Sequence, residues 1–234
     1  MQLFYTPEIN EHQKEFSFDK EESKHIVKVL RKQEGAILKV TNGFGFLFTT
    51  EIILASDKKC TVKITHSDYF EPNQFYIHMA VAPTKMNDRY EWFLEKATEI
   101  GVNEITPVIC DHSERKTIKT ERFDKIIQSA MKQSLQFHLP KLNEPIPLKQ
   151  FLAQNHDGNL CIAHCEETSK TLLKNAIKSN EKYTILIGPE GDFSETEIQS
   201  ALERNYVPVS LGNTRLRTET AAIVACHSIV YANE

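Results

Sequence analysis

Ile185-Leu186-Ile187-Gly188-Pro189-Glu190-Gly191-Asp192-Phe193-Ser194 decides how this chain is read. An apolar, β-branched run stops at a loop bracketed by two glycines. Ser194 with Glu197 three residues on is a capping-box pattern that opens a helix to Arg204. A second stretch repeats the plan. The apolar run 207–211 passes into Leu211-Gly212-Asn213-Thr214-Arg215-Leu216-Arg217-Thr218-Glu219-Thr220, and a last helix is expected over 218–231. Open α/β sheets bind ligands in loops at the carboxyl ends of their strands. Glycine lets backbone approach a ligand closely, so the two loops are expected to build one site together.

Outward from these loops, strands alternate with helices from residue 74 on. A strand over 75–81 ends at Pro83. Asp88, with Glu91 three residues later, predicts a capped helix that carries Trp92, Phe93, Ala97 and Ile100 and stops at Gly101. Strands follow at 104–109, 159–163 and 183–187, with helices at 121–134 and 169–177. Such alternation predicts a parallel sheet covered by helices on both faces. Residues 1–70 read differently. Strands 36–41 and 46–55 flank a Gly43-Phe44-Gly45 hairpin turn, a third strand spans 61–65, and Ile26, Val27, Val29 and Leu30 suit a short amphipathic helix. The expected organisation is a small β-barrel module over 1–70, a linker at Glu71-Pro72-Asn73, and an α/β domain over 74–234.

With 234 residues, 40% of them hydrophobic, the chain can bury a sizeable core, and a net charge of −4 gives no global sign of nucleic-acid binding. The charge is uneven, however. Residues 112–141 hold seven basic and three acidic side chains, with His112 and His138 besides. That pattern suits either an RNA-facing patch or a solvated helix face. Five cysteines form no CxxC pair, and Cys161, His164 and Cys165 lack a second ligand pair at zinc spacing, so no metal is expected. No signal peptide and no apolar run near 18 residues is present, which predicts a soluble, cytoplasmic protein away from membranes. The GxGxxG, P-loop and GxSxG fingerprints are absent. A nucleotide-like ligand has to be held some other way.

At 186–193 and 211–220 the chain strongly resembles the RsmE family, SPOUT-superfamily enzymes that use S-adenosylmethionine to methylate N3 of a uridine in small-subunit (16S) ribosomal RNA. The resemblance extends over nearly the whole chain. His25-Ile26-Val27-Lys28-Val29-Leu30-Arg31, followed by Gly35, is similar to the family's N-terminal PUA-like RNA-binding barrel. Glu95-Lys96-Ala97-Thr98-Glu99-Ile100-Gly101-Val102 with Ile105-Thr106-Pro107 is similar to the segment that opens its catalytic domain. The resemblance implies a trefoil-knotted sheet whose loops clasp a bent cofactor, a homodimer in which two subunits complete each site, and a substrate within the small ribosomal subunit. Two departures stand out. Many relatives carry Gly where this chain has Asp192, and the family's Glu-Gln-Ser-Gly-Arg is here Lys132-Gln133-Ser134-Leu135-Gln136.

Carried onto these positions, the resemblance implies a role for each. Leu186, Ile187, Gly188, Glu190 and Gly191 on the first loop, and Leu211, Gly212, Leu216 and Thr218 on the second, would hold the cofactor. Backbone amides and aliphatic walls suit a flat adenine. Glu190 is placed to accept from ribose hydroxyls or to balance the sulfonium charge. Thr218 is expected to cap the last helix and to touch the cofactor. Arg217 is the expected catalytic side chain, since a guanidinium aimed at the uracil carbonyls would stabilise the imide anion as it forms. It could instead pair with Glu219 or Glu190. His164, Cys165 and Glu166 form either a third wall or an ordinary strand exit. RNA contacts are expected from Arg31, Lys32, Lys85, Arg89, Arg115 and Lys116. Two alternatives stay open: a SPOUT methyltransferase acting on a different rRNA or tRNA nucleotide, and a catalytically silent RNA-binding ribosome-assembly factor. The silent factor need not bind S-adenosylmethionine.

Overall fold

The computed structural model describes residues 2–166 and 169–234. The chain divides into two units: Met1–Pro72 with Met131–Leu139, and Asn73–Ala130 with Pro140–Glu234.

In the first unit, β1 (Leu3–Tyr5), β2 (Glu15–Ser17), β3 (Ile37–Thr41), β4 (Phe46–Leu54) and β5 (Thr61–Tyr69) form one sheet in the order β1-β3-β4-β5-β2. Alternating inward positions of β3 and β4, including Leu38, Val40, Phe48 and Ile52, pack with Phe4, Ile26 and Val62 into a closed core. The expected helix is split. α1 (Lys20–Lys24), capped by the Asp19 carboxylate, gives way to a wide π turn over His25–Val29, in which the Leu30 amide donates to the His25 carbonyl at 2.9 Å. Arg31 follows in the left-handed region at φ 55. Such wide turns re-aim the chain and recur at functional sites. The segment 131–139 joins this unit through backbone pairing: Gly45 donates to the Phe137 carbonyl at 2.9 Å and Leu139 to the Gly43 carbonyl at 2.9 Å. Leu135 adopts φ 57, a left-handed conformation at the position where the family pattern has Gly.

The second unit holds β6 (Tyr76–Val81), α2 (Asn87–Ile100), β7 (Glu104–Ile109), α3 (Thr120–Gln133, its last residues counting with the first unit), β8 (Lys141–Leu142), β9 (Ile146–Pro147), α4 (Leu148–Leu152), β10 (Asn159–Ala163), β11 (Thr171–Leu172), α5 (Leu173–Ala176), β12 (Lys182–Ile187), α6 (Glu195–Glu203), β13 (Val207–Ser210) and α7 (Thr218–Tyr231). Its strands run parallel in the order β11-β13-β10-β12-β6-β7-β8, with β9 beside β7. The central strands β6 and β12 are buried over nearly their whole length, as parallel strands covered on both faces must be. Ala80, Leu186, Ile162, Phe151 and Ile198 anchor the core.

Two local expectations need correction. The α2 N-cap is Met86, not Asp88, whose carboxylate accepts from the neighbouring Arg89 amide instead. The helix expected over 169–177 shrinks to α5, because Thr171 and Leu172 pair with β13; residues 167 and 168 lie outside the described residues. On α7, Ala222, Ala225, Cys226 and Ile229 form one buried stripe at helical spacing, packed in this chain's own core. The face left outward mixes Ala221, Val224, Val230 and Tyr231 with the exposed His227.

Candidate functional site

β10, β12 and β13 are neighbours, and their carboxyl ends release three loops side by side. The loop after β12 is fixed by packing. A Cβ at Gly188 would stand 3.1 Å from the Phe193 ring, and one at Gly191 would stand 3.1 Å from His112 Cβ. These glycines therefore admit neighbouring side chains. His112 Nδ1 lies 3.0 Å from the Gly191 carbonyl and 3.1 Å from that of Asp192. Gly212 is different: at φ +140 it has a conformation that suits glycine, and nothing lies within 4 Å of where its Cβ would be. It offers open backbone to a ligand. Thr218 does not cap α7; Arg217 is the N-cap residue, without a side-chain cap bond. Thr218 Oγ1 instead donates to the Gly188 carbonyl at 3.0 Å, which ties the two glycine loops together.

Two adjoining hollows of about 360 and 420 Å³ share Ala163, Cys165, Arg215, Leu216 and Ala221 as walls. Leu211, Gly212 and His164 line the first; Ile187, Gly188, Glu190, Arg217, Thr218 and Arg89 line the second. Leu186 and Gly191 line neither. Leu186 turns into the core beside Ala80 and Ile162, because alternate residues of a strand face opposite sides. Gly191 is closed off by His112.

The polar groups around this cleft are unevenly matched. Arg217 is exposed, and among the described residues its side chain makes neither hydrogen bond nor ion pair. Glu219 does not hold it: its Oε1 lies 3.9 Å from Arg89 Nε, while its buried Oε2 has no partner among the described residues. Glu190 accepts from the Lys85 amide at 2.9 Å, and Lys85 Nζ reaches Glu114 at 2.8 Å, a bond that raises the ammonium pKa. Arg115 turns to the Thr117 carbonyl at 3.3 Å, and Lys116 is exposed. Arg31 and Lys32 belong to the first unit. His164 is buried, and neither ring nitrogen is bonded among the described residues; burial, then the nearby Lys170, lowers its pKa. Asp192 sits at φ 62, a left-handed conformation that glycine adopts freely, and its Oδ2 accepts from the Cys165 amide at 2.7 Å. Sequence reasoning missed this contact, since nothing in a linear pattern pairs residues 165 and 192.

A larger hollow of about 730 Å³ opens at the other end of the sheet, where β6, β7 and β12 begin. There Glu104 receives Tyr76 Oη at 2.9 Å, Lys141 Nζ at 2.9 Å and Asn143 Nδ2 at 2.7 Å. Burial pushes the carboxyl up, but these bonds and the adjacent His78 overcome it and hold the pKa at about 2. His78 Nε2 lies 2.7 Å from Thr106 Oγ1, and burial holds its pKa at about 4. Size alone does not mark a site: at this hollow Glu104 is already matched by Lys141, Asn143 and Tyr76.

Residues 71–230 match a family described as an RNA methyltransferase domain, and residues 18–65 match an RNA methyltransferase PUA domain. The ribosomal RNA small subunit methyltransferase E of Buchnera aphidicola (from Acyrthosiphon pisum) is 32% identical over 90% of this chain and 86% of its own. A crystal structure of a probable rRNA methyltransferase from Porphyromonas gingivalis superposes with a TM-score of 0.91 at 39% identity, covering 100% of this chain and 98% of that one. The ribosomal RNA small subunit methyltransferase E of Neisseria gonorrhoeae, solved bound to S-adenosyl methionine, superposes with a TM-score of 0.83 at 27% identity, covering 97% of this chain and 95% of that one.

Proposed function

The chain belongs to the RNA methyltransferase family, and we propose that it transfers a methyl group from S-adenosylmethionine to N3 of a uridine in small-subunit (16S) ribosomal RNA. The observation that carries this reading is the convergence of the loops after β12 and β13 on one cleft, tied by Thr218 to Gly188. The residues present fit the cofactor. Open backbone at Gly212 and the aliphatic walls Leu211, Leu216 and Ile187 suit a flat adenine, and the Glu190 carboxylate suits ribose hydroxyls. Bound there, S-adenosylmethionine supplies an electrophilic methyl group.

The protein's own groups do the rest. Uridine N3–H is a weak acid, and loss of its proton to solvent water leaves charge on the flanking carbonyl oxygens. Arg217, whose side chain pairs with no carboxylate among the described residues, carries a guanidinium that would donate to one of these oxygens, leaving N3 open to the methyl group, and stabilise the anion as it forms. The cleft walls hold the two reactants in line, so positioning supplies much of the rate. Arg89, which lines this cleft, and Lys85, whose amide donates to Glu190, would contact phosphates together with Arg115 and Lys116 of the same unit and Arg31 and Lys32 of the first.

The same reading includes a knotted path for the C-terminal segment and a homodimer acting on the assembled subunit in the cytoplasm. The outward apolar residues Ala221, Val224 and Tyr231 of α7 support the dimer; light scattering that finds an active monomer at micromolar concentration would refute it. For the reaction itself, small ribosomal subunits lacking the modification are incubated with protein and labelled S-adenosylmethionine, and methylated nucleotides are mapped by mass. One new N3-methyluridine in 16S rRNA is expected. Label in another base or in tRNA, or cofactor binding without transfer, overturns the reading.

A further inference from the structure

We propose that Asp192 is a positioning residue of the cofactor cleft: its carboxylate latches the loop after β10 to the loop after β12 and so holds two walls of the cleft in their binding arrangement. The inference rests on the reading of this cleft as the S-adenosylmethionine site.

Three observations meet at this side chain. First, the backbone at Asp192 is left-handed, at φ 62. Most side chains resist that conformation, which costs roughly 1–2 kcal/mol, and Asp is among the few that adopt it routinely. Glycine would enter it freely, so retaining a carboxylate there calls for a return in contacts. Second, that return is visible. Oδ1 accepts from the Phe193 amide at 2.9 Å, which fixes the side chain over its own loop, and Oδ2 accepts from the Cys165 amide at 2.7 Å, across to the next strand's exit. Hydrogen bonds to an ionised acceptor are short and about twice as strong as neutral ones. Third, the bond falls where the cleft is made. Cys165 is a wall of both hollows, and Asp192 lines the one that contains Gly188 and Arg217.

β10 and β12 are hydrogen-bonded neighbours as far as Ala163 and Ile187, beyond which the ladder stops. The Asp192–Cys165 bond continues the connection past the end of the ladder, through a side chain. A loop held before the ligand arrives need not be ordered by it, and that saving appears as affinity. Phe193 and Gly188 fix the rest of the β12 loop, so removing the carboxylate frees the β10 wall alone.

The test uses the full-length protein with Asp192→Gly, which keeps the left-handed backbone and removes both acceptors, and Asp192→Asn, which keeps one acceptor oxygen and loses the charge. S-adenosylmethionine affinity is measured by calorimetry, and amide exchange is followed on peptides spanning Cys165 and spanning β12. The expected result is roughly a tenfold loss of affinity in Asp192→Gly, the scale of one charge-assisted hydrogen bond. Asp192→Asn is expected to fall between it and the wild type. Exchange should quicken at Cys165 and stay slow through Ile185. Wild-type affinity in Asp192→Gly, or unchanged protection at Cys165, overturns the latch. Loss of protection throughout β10 and β12 overturns it too, by making Asp192 a folding residue. A wild-type protein that binds no S-adenosylmethionine contradicts the assignment of the cleft itself.

Discussion

The two ends of the same parallel sheet treat polar groups in opposite ways. Where β6 and β7 begin, Glu104 is surrounded by Tyr76, Lys141 and Asn143, and His78 is bonded to Thr106. Where β10, β12 and β13 end, Arg217 has no partner among the described residues, both His164 nitrogens and Glu219 Oε2 are buried without one, and Asp192 holds a left-handed backbone. Buried polar groups left unmatched cost about 1–3 kcal/mol each. A fold carries such costs where a ligand or a reaction uses the groups, and strained backbone collects in the same places. The amino end is the larger hollow, and the unmatched groups gather at the carboxyl end.

The comparison breaks most visibly at Arg217. If the carboxyl end does the chemistry, Arg217→Ala cuts turnover by roughly 10²–10³-fold, the scale of one lost preorganised charge stabiliser. Affinity for S-adenosylmethionine changes much less, Lys at this position rescues only in part, and raising the pH recovers some of the rate because more free uridine is then deprotonated. Single-turnover methylation of the native substrate across pH reads all of these. Unchanged turnover with weakened cofactor binding would make Arg217 a binding residue.

The amino end should answer with stability instead. Glu104→Ala strands Lys141, Asn143 and Tyr76 and should destabilise the protein by roughly 2–3 kcal/mol in urea unfolding. Turnover of the folded variant should stay at the wild-type level, and a fall of tenfold or more would place function at both ends. A smaller effect follows from His78. Its folded pKa of about 4 lies below the ordinary value of 6.5. Above pH 6.5 the ring is neutral in both states. As pH falls from 6.5 to 4 the unfolded chain takes up a proton that the folded chain refuses, so stability falls, by at most about 1.4 kcal/mol per pH unit. His78→Gln should flatten that slope in denaturant titrations at pH 7, 6 and 5. The loss due to Glu104 lies lower, as pH falls from about 4.5 through its folded pKa of about 2.

The two ends also differ in how far their residues can be read from the chain. At the carboxyl end local chemistry speaks directly. The Ser194–Glu197 capping box and the start of α7 at Thr218 stand as the pattern predicts, because capping and apolar periodicity act within one or two turns. The contacts that assemble the cleft do not act locally. Thr218 to Gly188 spans 30 positions and Asp192 to Cys165 spans 27, and neither leaves a trace in composition or period. The amino-end network was invisible for the same reason: Glu104, Lys141 and Asn143 look like ordinary surface residues until the parallel register sets them together. The segment 131–139 reads as a helix exit, yet it pairs with the Gly43–Gly45 hairpin in the first unit. Short β11 displaced a helix because its pairing with β13 outweighed the local preference.

The most direct test of the carboxyl end as the cofactor site is a calorimetric titration of S-adenosylmethionine into the wild type, Gly212→Val and Leu216→Ala, with the fold of each checked by circular dichroism and thermal melting. The wild type should bind saturably. Gly212→Val, whose new side chain projects into open space that the ligand would fill, should lose detectable binding. Leu216→Ala, which removes an apolar wall common to both hollows without changing backbone preferences, should lose about tenfold. No binding by the wild type, or wild-type affinity in both folded variants, would contradict the account.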